Sequence, residues 1–361
     1  MNYQAVTIAT SVPYKVIIGD NLLEECGEII SREIKPCRAA LISDENVMSL
    51  YGEKVSSSLE NAGFKVSSFS FPAGEKSKTP DTLFEILDFL ASNEFDRSDV
   101  VIALGGGVTG DIAGFASAIY MRGMKLVQIP TSLLAMVDSS VGGKTGVDLD
   151  KGKNLVGAFK QPQLVICDTE VLETLPNEQF ACGMAEIIKY AMICDEKLFE
   201  LLYETKERTA FSEDTLKGVI SRCVEIKGGI VTRDEFDNGE RQLLNFGHTI
   251  GHAIEKLSGY KIGHGQAVGI GMVMMTAISE RLDICQSGTK SRLVELLESY
   301  ELPTQTDFSV KALADAVVLD KKRRGDNITI IMTEKIGSCF YKSVPISEIE
   351  VLLNELGEEQ P

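Results

Sequence analysis

The stretch Val100–Asp111, with the sequence VVIALGGGVTGD, is the part of the chain that decides the fold. Five apolar residues predict a buried strand, and Gly105, Gly107 and Gly110 then match the pattern G-x-G-x-x-G in front of a helix-like segment. Such a turn lets backbone N–H groups approach a pyrophosphate at a helix N-terminus. The pattern alone is equally typical of an ordinary tight turn, because no acidic residue follows about 20 residues later.

Outward from this turn, short β-branched runs alternate with amphipathic segments. Strands are predicted at Tyr14–Ile18, Arg38–Ser43, Lys65–Phe71, Val100–Leu104, Lys125–Pro130 and Leu164–Cys167. Helices are predicted between them at Leu22–Ile30, Val47–Ala62 and Thr82–Ser92. This alternation favours a parallel sheet with helices on both faces.

The second half of the chain has a different pattern, because the strand signal nearly vanishes after Thr169. Helices are predicted at Glu178–Met192, Asp214–Gly228, Gln242–Leu257, Ala267–Leu282 and Ser291–Tyr300, and one short strand at Ile328–Met332. The sequence therefore predicts two domains: an α/β nucleotide-binding domain of residues 1–172 and a mostly α-helical domain of residues 173–361.

Charge and composition exclude several classes of partner. The chain of 361 residues has a formal net charge of −17, which argues against nucleic acid or an anionic membrane as partner. The longest apolar run, Val268–Ile278, is too short to cross a bilayer, and Met1–Gly19 lacks the pattern of a signal peptide. Eight scattered cysteines without a Cys-x-x-Cys pair indicate reduced thiols. We therefore expect a cytoplasmic protein.

A second glycine-rich segment, VGGKTG at residues 141–146, resembles the end of a phosphate-binding loop. The complete pattern requires glycine at position 138, where this chain has Asp138, so a nucleotide triphosphatase is not expected. Lys144 and Lys153 nevertheless lie in glycine-rich surroundings, and both are candidates for phosphate contacts.

The three histidines of the chain all fall between positions 248 and 264. Arg241, Asn245, His248 and His252 have the spacing of one helix face, and the residues between them are largely apolar. A polar stripe on an otherwise apolar helix is costly unless it lines a wet or metal-bearing site. The spacing therefore favours a functional site.

Two imidazoles and one carboxylate are a typical zinc ligand set that leaves a position for substrate. The spacing does not decide which histidines bind, since His248 can pair with His252 on one helix or with His264 on a later segment. The carboxylate candidates are Glu186, Glu255 and Asp138.

With these motifs in place, the chain resembles the 3-dehydroquinate synthase family over essentially its whole length. The motifs are PAGEKSK (72–78), GGGVTGD (105–111), PTSLLAMVDSSVGGKTG (130–146), GKN (152–154), GMAEIIKY (183–190), RQLLNFGHTIGH (241–252) and HGQAV (264–268). The resemblance implies a dehydroquinate synthase-like fold and a lyase that converts 3-deoxy-D-arabino-heptulosonate 7-phosphate to 3-dehydroquinate and phosphate. It also implies NAD, a divalent metal (zinc, or cobalt) and a homodimer.

The resemblance also assigns residues. It implies Glu186, His248 and His264 as metal ligands. For the cofactor it implies Asp44, Glu75, Lys78, Gly106, Gly107, Val108, Thr109, Gly110, Asp111, Thr131, Ser132, Lys144, Lys153, Val171, Leu172, Glu173 and Thr174. For the substrate it implies Asp138, Lys144, Asn154, Lys189, Lys227, Arg241, Asn245, His252, Lys322 of the Lys321–Lys322 pair, and Arg122 donated across a dimer interface.

Three other functions are alternatives, and the third, a non-catalytic binding or scaffold protein that retains the fold, is disfavoured by the completeness of the metal and lysine set. A metal-dependent polyol dehydrogenase has the same two-domain architecture but does not need so many lysines, and a sister sugar phosphate cyclase acts on a substrate without a carboxylate. The chain departs from the usual family pattern at Ala73 and at Arg323–Asp326, after the lysine pair.

Overall fold

The computed structural model describes residues 3–321 and 326–356. Within this part the strands are β1 Tyr3–Ile8, β2 Tyr14–Gly19, β3 Arg38–Asp44, β4 Lys65–Phe71, β5 Val100–Gly105, β6 Lys125–Pro130, β7 Lys144–Leu149, β8 Gly152–Phe159, β9 Leu164–Asp168, β10 Asn327–Lys335 and β11 Ser338–Pro345. The α-helices are α1 Leu22–Glu33, α2 Glu45–Asn61, α3 Pro80–Ser92, α4 Gly107–Ile119, α5 Asn177–Cys194, α6 Glu196–Thr205, α7 Glu213–Arg233, α8 His248–Leu257, α9 His264–Arg281, α10 Thr289–Ser299, α11 Val310–Lys321 and α12 Ile349–Asn354.

The chain forms two compact units. The first contains residues 1–176 and 213–236, and the second contains residues 177–212 and 237–361. Helix α7, which the sequence placed in the helical domain, thus folds with the first unit. A helical pattern does not reveal which core a helix joins. Here Gly228 of α7 packs so closely on β1 that a Cβ atom would lie 2.3 Å from Ile8 Cδ1.

The first unit is built on a seven-stranded sheet with the order β1-β2-β9-β6-β5-β3-β4. Its strands are parallel except for the antiparallel pair β1–β2. All residues of β5 are buried, as expected for a strand with parallel neighbours on both sides and helices on both faces. The six strands predicted here are confirmed to within one residue at each end. Strands β1, β7 and β8 were not predicted.

The second unit is mostly helical, and only β10 and β11 pair as an antiparallel hairpin among its described residues. The predicted helix Gln242–Leu257 is wrong in one respect. Residues Glu240–Asn245 form a 3₁₀ helix, Gly247 adopts a left-handed conformation with φ 77°, and α8 begins only at His248. Arg241 and Asn245 therefore do not share a continuous helix face with His248 and His252. Across the described residues, no helix combines the length and apolarity needed to cross a membrane.

Candidate active site

The glycine turn of the first unit joins β5 directly to α4. Gly106 is the N-cap residue and α4 begins at Gly107. A Cβ atom on Gly105 would lie 2.5 Å from Thr109 Oγ1, and one on Gly110 would lie 2.7 Å from Gln128 Oε1 of β6. A side chain at Gly105 would overlap Thr109 within the turn, and one at Gly110 would force the Gln128 side chain to move. The first N–H groups of a helix have no partner inside it, and such a terminus can bind a phosphate.

Asp44 lies beside this turn, because β3 and β5 are parallel neighbours whose carboxyl ends meet at one edge of the sheet. Its Oδ1 caps α2 by accepting hydrogen bonds from the N–H groups of Asn46 and Val47, both at 3.1 Å. Its Oδ2 lies 3.5 Å from Thr109 Oγ1 in the first turn of α4. The carboxylate thus bridges two helix N-termini, which is the position from which an acid can reach a ribose.

The 3₁₀ segment Thr169–Thr174, which contains the expected Val171, Leu172, Glu173 and Thr174, is held against α2. Tyr51 of α2 donates to the carbonyl of Val171 at 3.3 Å and its hydroxyl also pairs with Thr174 Oγ1. Thr131, at the end of β6, donates its N–H to the carbonyl of Gly105 at 3.0 Å, and Ser132 follows it in the chain. Lys144 is exposed at the start of β7.

A charged cluster adjoins the N-terminal half of α4. Lys78 Nζ lies 2.5 Å from Asp111 Oδ2 and 2.7 Å from Asn154 Oδ1. Burial tends to lower the pKa of Lys78, but the Asp111 carboxylate outweighs it and the pKa is raised. Lys153 pairs with Glu75 at 3.3 Å. The structure thus groups Asn154, expected around the substrate, with residues expected around the cofactor.

Asp138 and Lys227 form a second pair in the first unit. Lys227 Nζ lies 2.8 Å from Asp138 Oδ1 and 2.7 Å from the Asp138 carbonyl oxygen. Lys227 is buried on α7, and Asp138 lies in the π-helical turn Ala135–Ser139. Asp138, weighed from sequence as a metal ligand, is thus a partner of a buried ammonium group.

The histidine site lies wholly in the second unit. Glu186 Oε1 on α5 lies 3.3 Å from His264 Nε2 and 3.6 Å from His248 Nε2, and the ligand atoms of these three residues are all within 4.8 Å of one another. His248 Nδ1 is 3.0 Å from the carbonyl oxygen of Phe246, and His264 Nδ1 is 3.5 Å from Glu255 Oε2. Each ring therefore has a hydrogen-bond acceptor at Nδ1 and turns Nε2 towards Glu186.

Glycines bring α8 and α9 together at this site. A Cβ atom on Gly271 of α9 would lie 2.0 Å from the carbonyl oxygen of Gly247, and one on Gly251 of α8 would lie 3.1 Å from backbone atoms of Ala267. The two helix backbones are therefore in direct contact. This packing places the first residue of α8, His248, near the first residue of α9.

A third glycine contact joins α9 to α5. A Cβ atom on Gly265 would lie 2.5 Å from Cys182 Cα. Glu186 follows Cys182 by one helical turn on the same face of α5, and His264 directly precedes Gly265. The close approach of these backbones therefore brings the carboxylate to the imidazole.

The buried carboxylates of Glu186 and Glu255 favour a positive charge at the histidine site. Burial lowers the pKa of His248 to about 3, so this ring is neutral and can act as a nitrogen ligand. Burial also tends to lower the pKa of His264, but hydrogen bonds and charge from Glu186 and Glu255 outweigh it and raise the pKa to about 10. A positive charge between two buried carboxylates is thus strongly favoured. Two imidazole nitrogens and a carboxylate oxygen suit a divalent metal such as zinc.

The remaining expected residues of the second unit differ in exposure. Lys189 is buried and forms an ion pair with Glu186 Oε2 one turn away on α5. Arg241 is also buried, whereas Asn245 and His252 are exposed. The expected Lys322 lies outside the described residues.

Comparison with known proteins identifies the family. The 3-dehydroquinate synthase N-terminal domain matches residues 68–182, and the 3-dehydroquinate synthase C-terminal domain matches residues 183–323. The chain belongs to the 3-dehydroquinate synthase family. The 3-dehydroquinate synthase of Enterococcus faecalis (strain ATCC 47077 / OG1RF) is 44% identical over 357 residues, which cover 98% of each chain. That of Clostridium acetobutylicum is 44% identical over 337 residues, 93% of this chain and 94% of the relative.

Solved structures of related cyclases share the fold. A 2-deoxy-scyllo-inosose synthase complexed with carbaglucose-6-phosphate, NAD⁺ and Co²⁺ has a TM-score of 0.88 and 26% identity, covering 98% of this chain and 100% of its own. A 2-epi-5-epi-valiolone synthase from Streptomyces hygroscopicus with NAD⁺ and Zn²⁺ has a TM-score of 0.87 and 27% identity, covering 96% and 97%. The fold class and the 3-dehydroquinate synthase family, both expected from sequence, are confirmed.

The sequence motifs did not reveal the contacts made by two residues of these sites, Asp148 and Glu255. Asp148 of β7 accepts the N–H of Asn154 at 2.7 Å and thereby holds that residue at a left-handed φ of 54°. No pattern in the sequence singles out Asp148, because the hairpin itself was not predicted. Glu255 was weighed only as a ligand, and its spacing of seven residues from His248 on α8 does indicate the same helix face.

Proposed function

We propose that the protein converts 3-deoxy-D-arabino-heptulosonate 7-phosphate to 3-dehydroquinate and phosphate, the phosphorus–oxygen lyase reaction of the shikimate pathway that leads to aromatic amino acids. Membership of the 3-dehydroquinate synthase family supports the reaction. The observation that carries the proposal is the side-chain cluster in which Glu186 Oε1 faces His264 Nε2 at 3.3 Å and His248 Nε2 at 3.6 Å. It supplies the ligand set that hydroxyl-group chemistry on a polyhydroxylated substrate needs.

Glu186, His248 and His264 are proposed to hold a divalent cation, zinc or cobalt. Bound there, the cation supplies Lewis acidity that lowers the energy of an alkoxide on the substrate. The buried carboxylates of Glu186 and Glu255 flank His264 at 3.3 and 3.5 Å, and this concentration of negative charge supports a cationic occupant. Lys189 neutralises the second oxygen of Glu186, so that Oε1 remains directed at the histidines.

NAD is the proposed cofactor, and it supplies a hydride acceptor and donor within one turnover. Its pyrophosphate is proposed to bind at Gly106–Asp111, with Asp44 on a ribose. Support comes from the close packing of Gly105 and Gly110 and from the 3.5 Å contact between Asp44 and Thr109. The other proposed cofactor residues are Glu75, Lys78, Thr131, Ser132, Lys144, Lys153 and residues 171–174.

The proposed substrate is a small, strongly anionic sugar phosphate. Family membership supports this choice, and Lys144, Lys189 and Lys227 place three cationic side chains among the expected substrate residues of a chain whose net charge is −17, which favours an anionic substrate. Arg241 is suited to bidentate contact with a carboxylate. The proposed substrate residues are Asp138, Lys144, Asn154 and Lys227 in the first unit, and Lys189, Arg241, Asn245 and His252 in the second. Their role is to position the substrate and neutralise its charge.

A homodimer is proposed, with Arg122 supplied across the interface. Arg122 lies in the exposed turn after α4 with a left-handed φ of 65°, and its neighbours Ile119 and Met121 are 43% and 48% exposed. Apolar side chains this exposed beside an expected site residue favour a covering partner. Light scattering after size-exclusion chromatography measures the assembly directly.

A cytoplasmic location is proposed because none of the eight cysteines, all within the described part of the chain, is joined in a disulfide.

One assay tests the reaction class. The protein is incubated with zinc, substoichiometric NAD⁺ and the heptulosonate phosphate, while phosphate and NADH absorbance are followed together. We expect many phosphates released per NAD⁺, no accumulated NADH, and loss of activity after chelation. Stoichiometric NADH without phosphate would instead identify a polyol dehydrogenase. Comparable phosphate release from a sugar phosphate without the carboxylate would identify a sister cyclase.

A further inference from the structure

We propose that Glu255 is a positioning residue that holds His264 in the tautomer and orientation required to bind the metal through Nε2. Glu255 is 3% exposed and lies on α8, and its Oε2 is 3.5 Å from His264 Nδ1. The inference rests on the metal site of the proposed function. It assigns to Glu255 a role apart from the three ligands.

The two nitrogens of an imidazole point in roughly opposite directions, and they determine each other's protonation. A hydrogen bond from Nδ1–H to an acceptor leaves the lone pair on Nε2, which is the form that binds a metal. At His264 the acceptor is the Glu255 carboxylate, while Nε2 faces Glu186 Oε1 at 3.3 Å. Glu255 therefore acts on the side of the ring away from the proposed cation.

His248 provides an internal comparison. Its Nδ1 lies 3.0 Å from the carbonyl oxygen of Phe246, so the backbone performs for His248 what a side chain performs for His264. A backbone acceptor survives any side-chain substitution. Replacing Glu255 therefore perturbs one imidazole and leaves the other in place.

His252 and Glu255 also lie with His264 in a group whose ligand atoms are within 4.8 Å of one another. That arrangement raises a distinct alternative, in which Glu255 binds a second cation. His264 Nδ1 would then have to be a ligand in place of a donor, so the stoichiometry of metal binding separates the two roles.

The test is a titration of the metal-free full chain with Co²⁺, followed by its visible absorption bands and by calorimetry. Glu255→Leu removes the acceptor and is expected to weaken Co²⁺ binding about 10- to 100-fold and to change the absorption bands. Glu255→Gln keeps a carbonyl acceptor and is expected to stay within about threefold of the wild type, since a neutral acceptor preserves the tautomer. Glu280→Leu is the matched control on α9, where Glu280 accepts a hydrogen bond from the N–H of Lys290.

The outcomes distinguish failure of the positioning role of Glu255 from failure of the proposed metal site. Unchanged affinity in Glu255→Leu, or two Co²⁺ per wild-type chain with one lost in Glu255→Gln, would overturn the positioning role alone. Failure of the wild type to bind Co²⁺ would overturn the proposed metal site and the positioning role with it. If Glu255→Leu does not fold, ¹⁵N NMR of histidine-labelled, zinc-loaded wild type decides: a proton on Nδ1 of His264 is expected, and a proton on Nε2 would refute the role.

Discussion

Gly271→Ala is predicted to damage the metal site from outside it, by forcing α8 and α9 apart. The added Cβ atom would lie 2.0 Å from the carbonyl oxygen of Gly247 and 3.1 Å from the backbone nitrogen of Gly251. An ordinary carbon–oxygen contact is about 3.3 Å, so one helix must move by roughly 1.3 Å. Both obstructing atoms belong to the backbone, so no change of side-chain rotamer relieves the overlap.

The displacement can be compared with what a metal tolerates. Ligand distances vary by only about 0.2 Å in a formed site, so a shift of roughly 1.3 Å between the helices that begin at His248 and His264 exceeds the tolerance several-fold. Overpacking of this kind costs about 1–3 kcal/mol, and the backbone contact places Gly271→Ala at the upper end. We expect a fall in Tm of roughly 6–12 °C and a large loss of zinc affinity.

The assay combines zinc titration with thermal unfolding of the metal-free protein. Gly269→Ala is the matched control on the same helix, because its Cβ atom would make only ordinary contacts, the nearest at 3.5 Å to Leu297 Cδ2. The control is expected to bind zinc as the wild type does. Wild-type zinc affinity in Gly271→Ala would refute the argument that backbone contact between α8 and α9 positions the ligands.

Three further predictions address other parts of the molecule. Glu186→Gln is expected to abolish bound zinc while His252→Ala retains it and only lowers the rate; equal metal loss in the two purified variants, by elemental analysis, would show the ligand choice to be wrong. Gly107→Val is expected to weaken NAD⁺ binding at least tenfold in calorimetry, because a side chain blocks close approach to the pyrophosphate; unchanged affinity would leave the turn with a purely structural role. In Lys217→Met, the first unit is expected to lose about 1–2 kcal/mol at neutral pH, measured by urea unfolding. Burial tends to raise the pKa of Asp20, but hydrogen bonds from Lys217 and Thr169 outweigh it and lower the pKa. The stabilisation by the Lys217–Asp20 pair is therefore present above the ordinary carboxyl pKa and is lost as the pH falls through the pKa of Asp20 in the folded protein. Equal destabilisation of the variant at pH 7 and pH 3 would contradict this expectation.

Some strands of the first unit could be predicted from the sequence and others could not, and the difference has a physical reason. The strands of the parallel sheet were predicted to within one residue because their signal is local: a short β-branched run between turn residues. The edge strand β1 and the hairpin β7–β8 were not predicted, because their apolar residues do not form such runs. The hairpin matters for the site, since it carries Lys144, Lys153 and Asn154.

The histidine helix shows how tertiary contact overrides a local pattern. The spacing of Arg241, Asn245, His248 and His252 favours one continuous helix, yet the chain breaks at Gly247 with φ 77°. The break allows the carbonyl oxygen of Gly247 to lie against Gly271 of α9, a residue more than twenty positions later in the chain. The local spacing of polar and apolar residues gives no sign of that contact between Gly247 and Gly271.

The sequence by itself determined the α/β and helical fold class, the family and the motifs that carry the candidate site residues. All of these depend on local periodicity or on motifs read along the chain. The spacing alone left Glu186, Glu255 and Asp138 as candidate acids, and the resemblance implied Glu186. The tertiary structure places Glu186 at Nε2 and Glu255 at Nδ1 of His264. It likewise placed α7 in the first unit and Asn154 on Lys78. The meeting of Glu186 and His264 depends on the backbone contact between Gly265 and Cys182, which are far apart in sequence, and such a contact leaves no periodic signal.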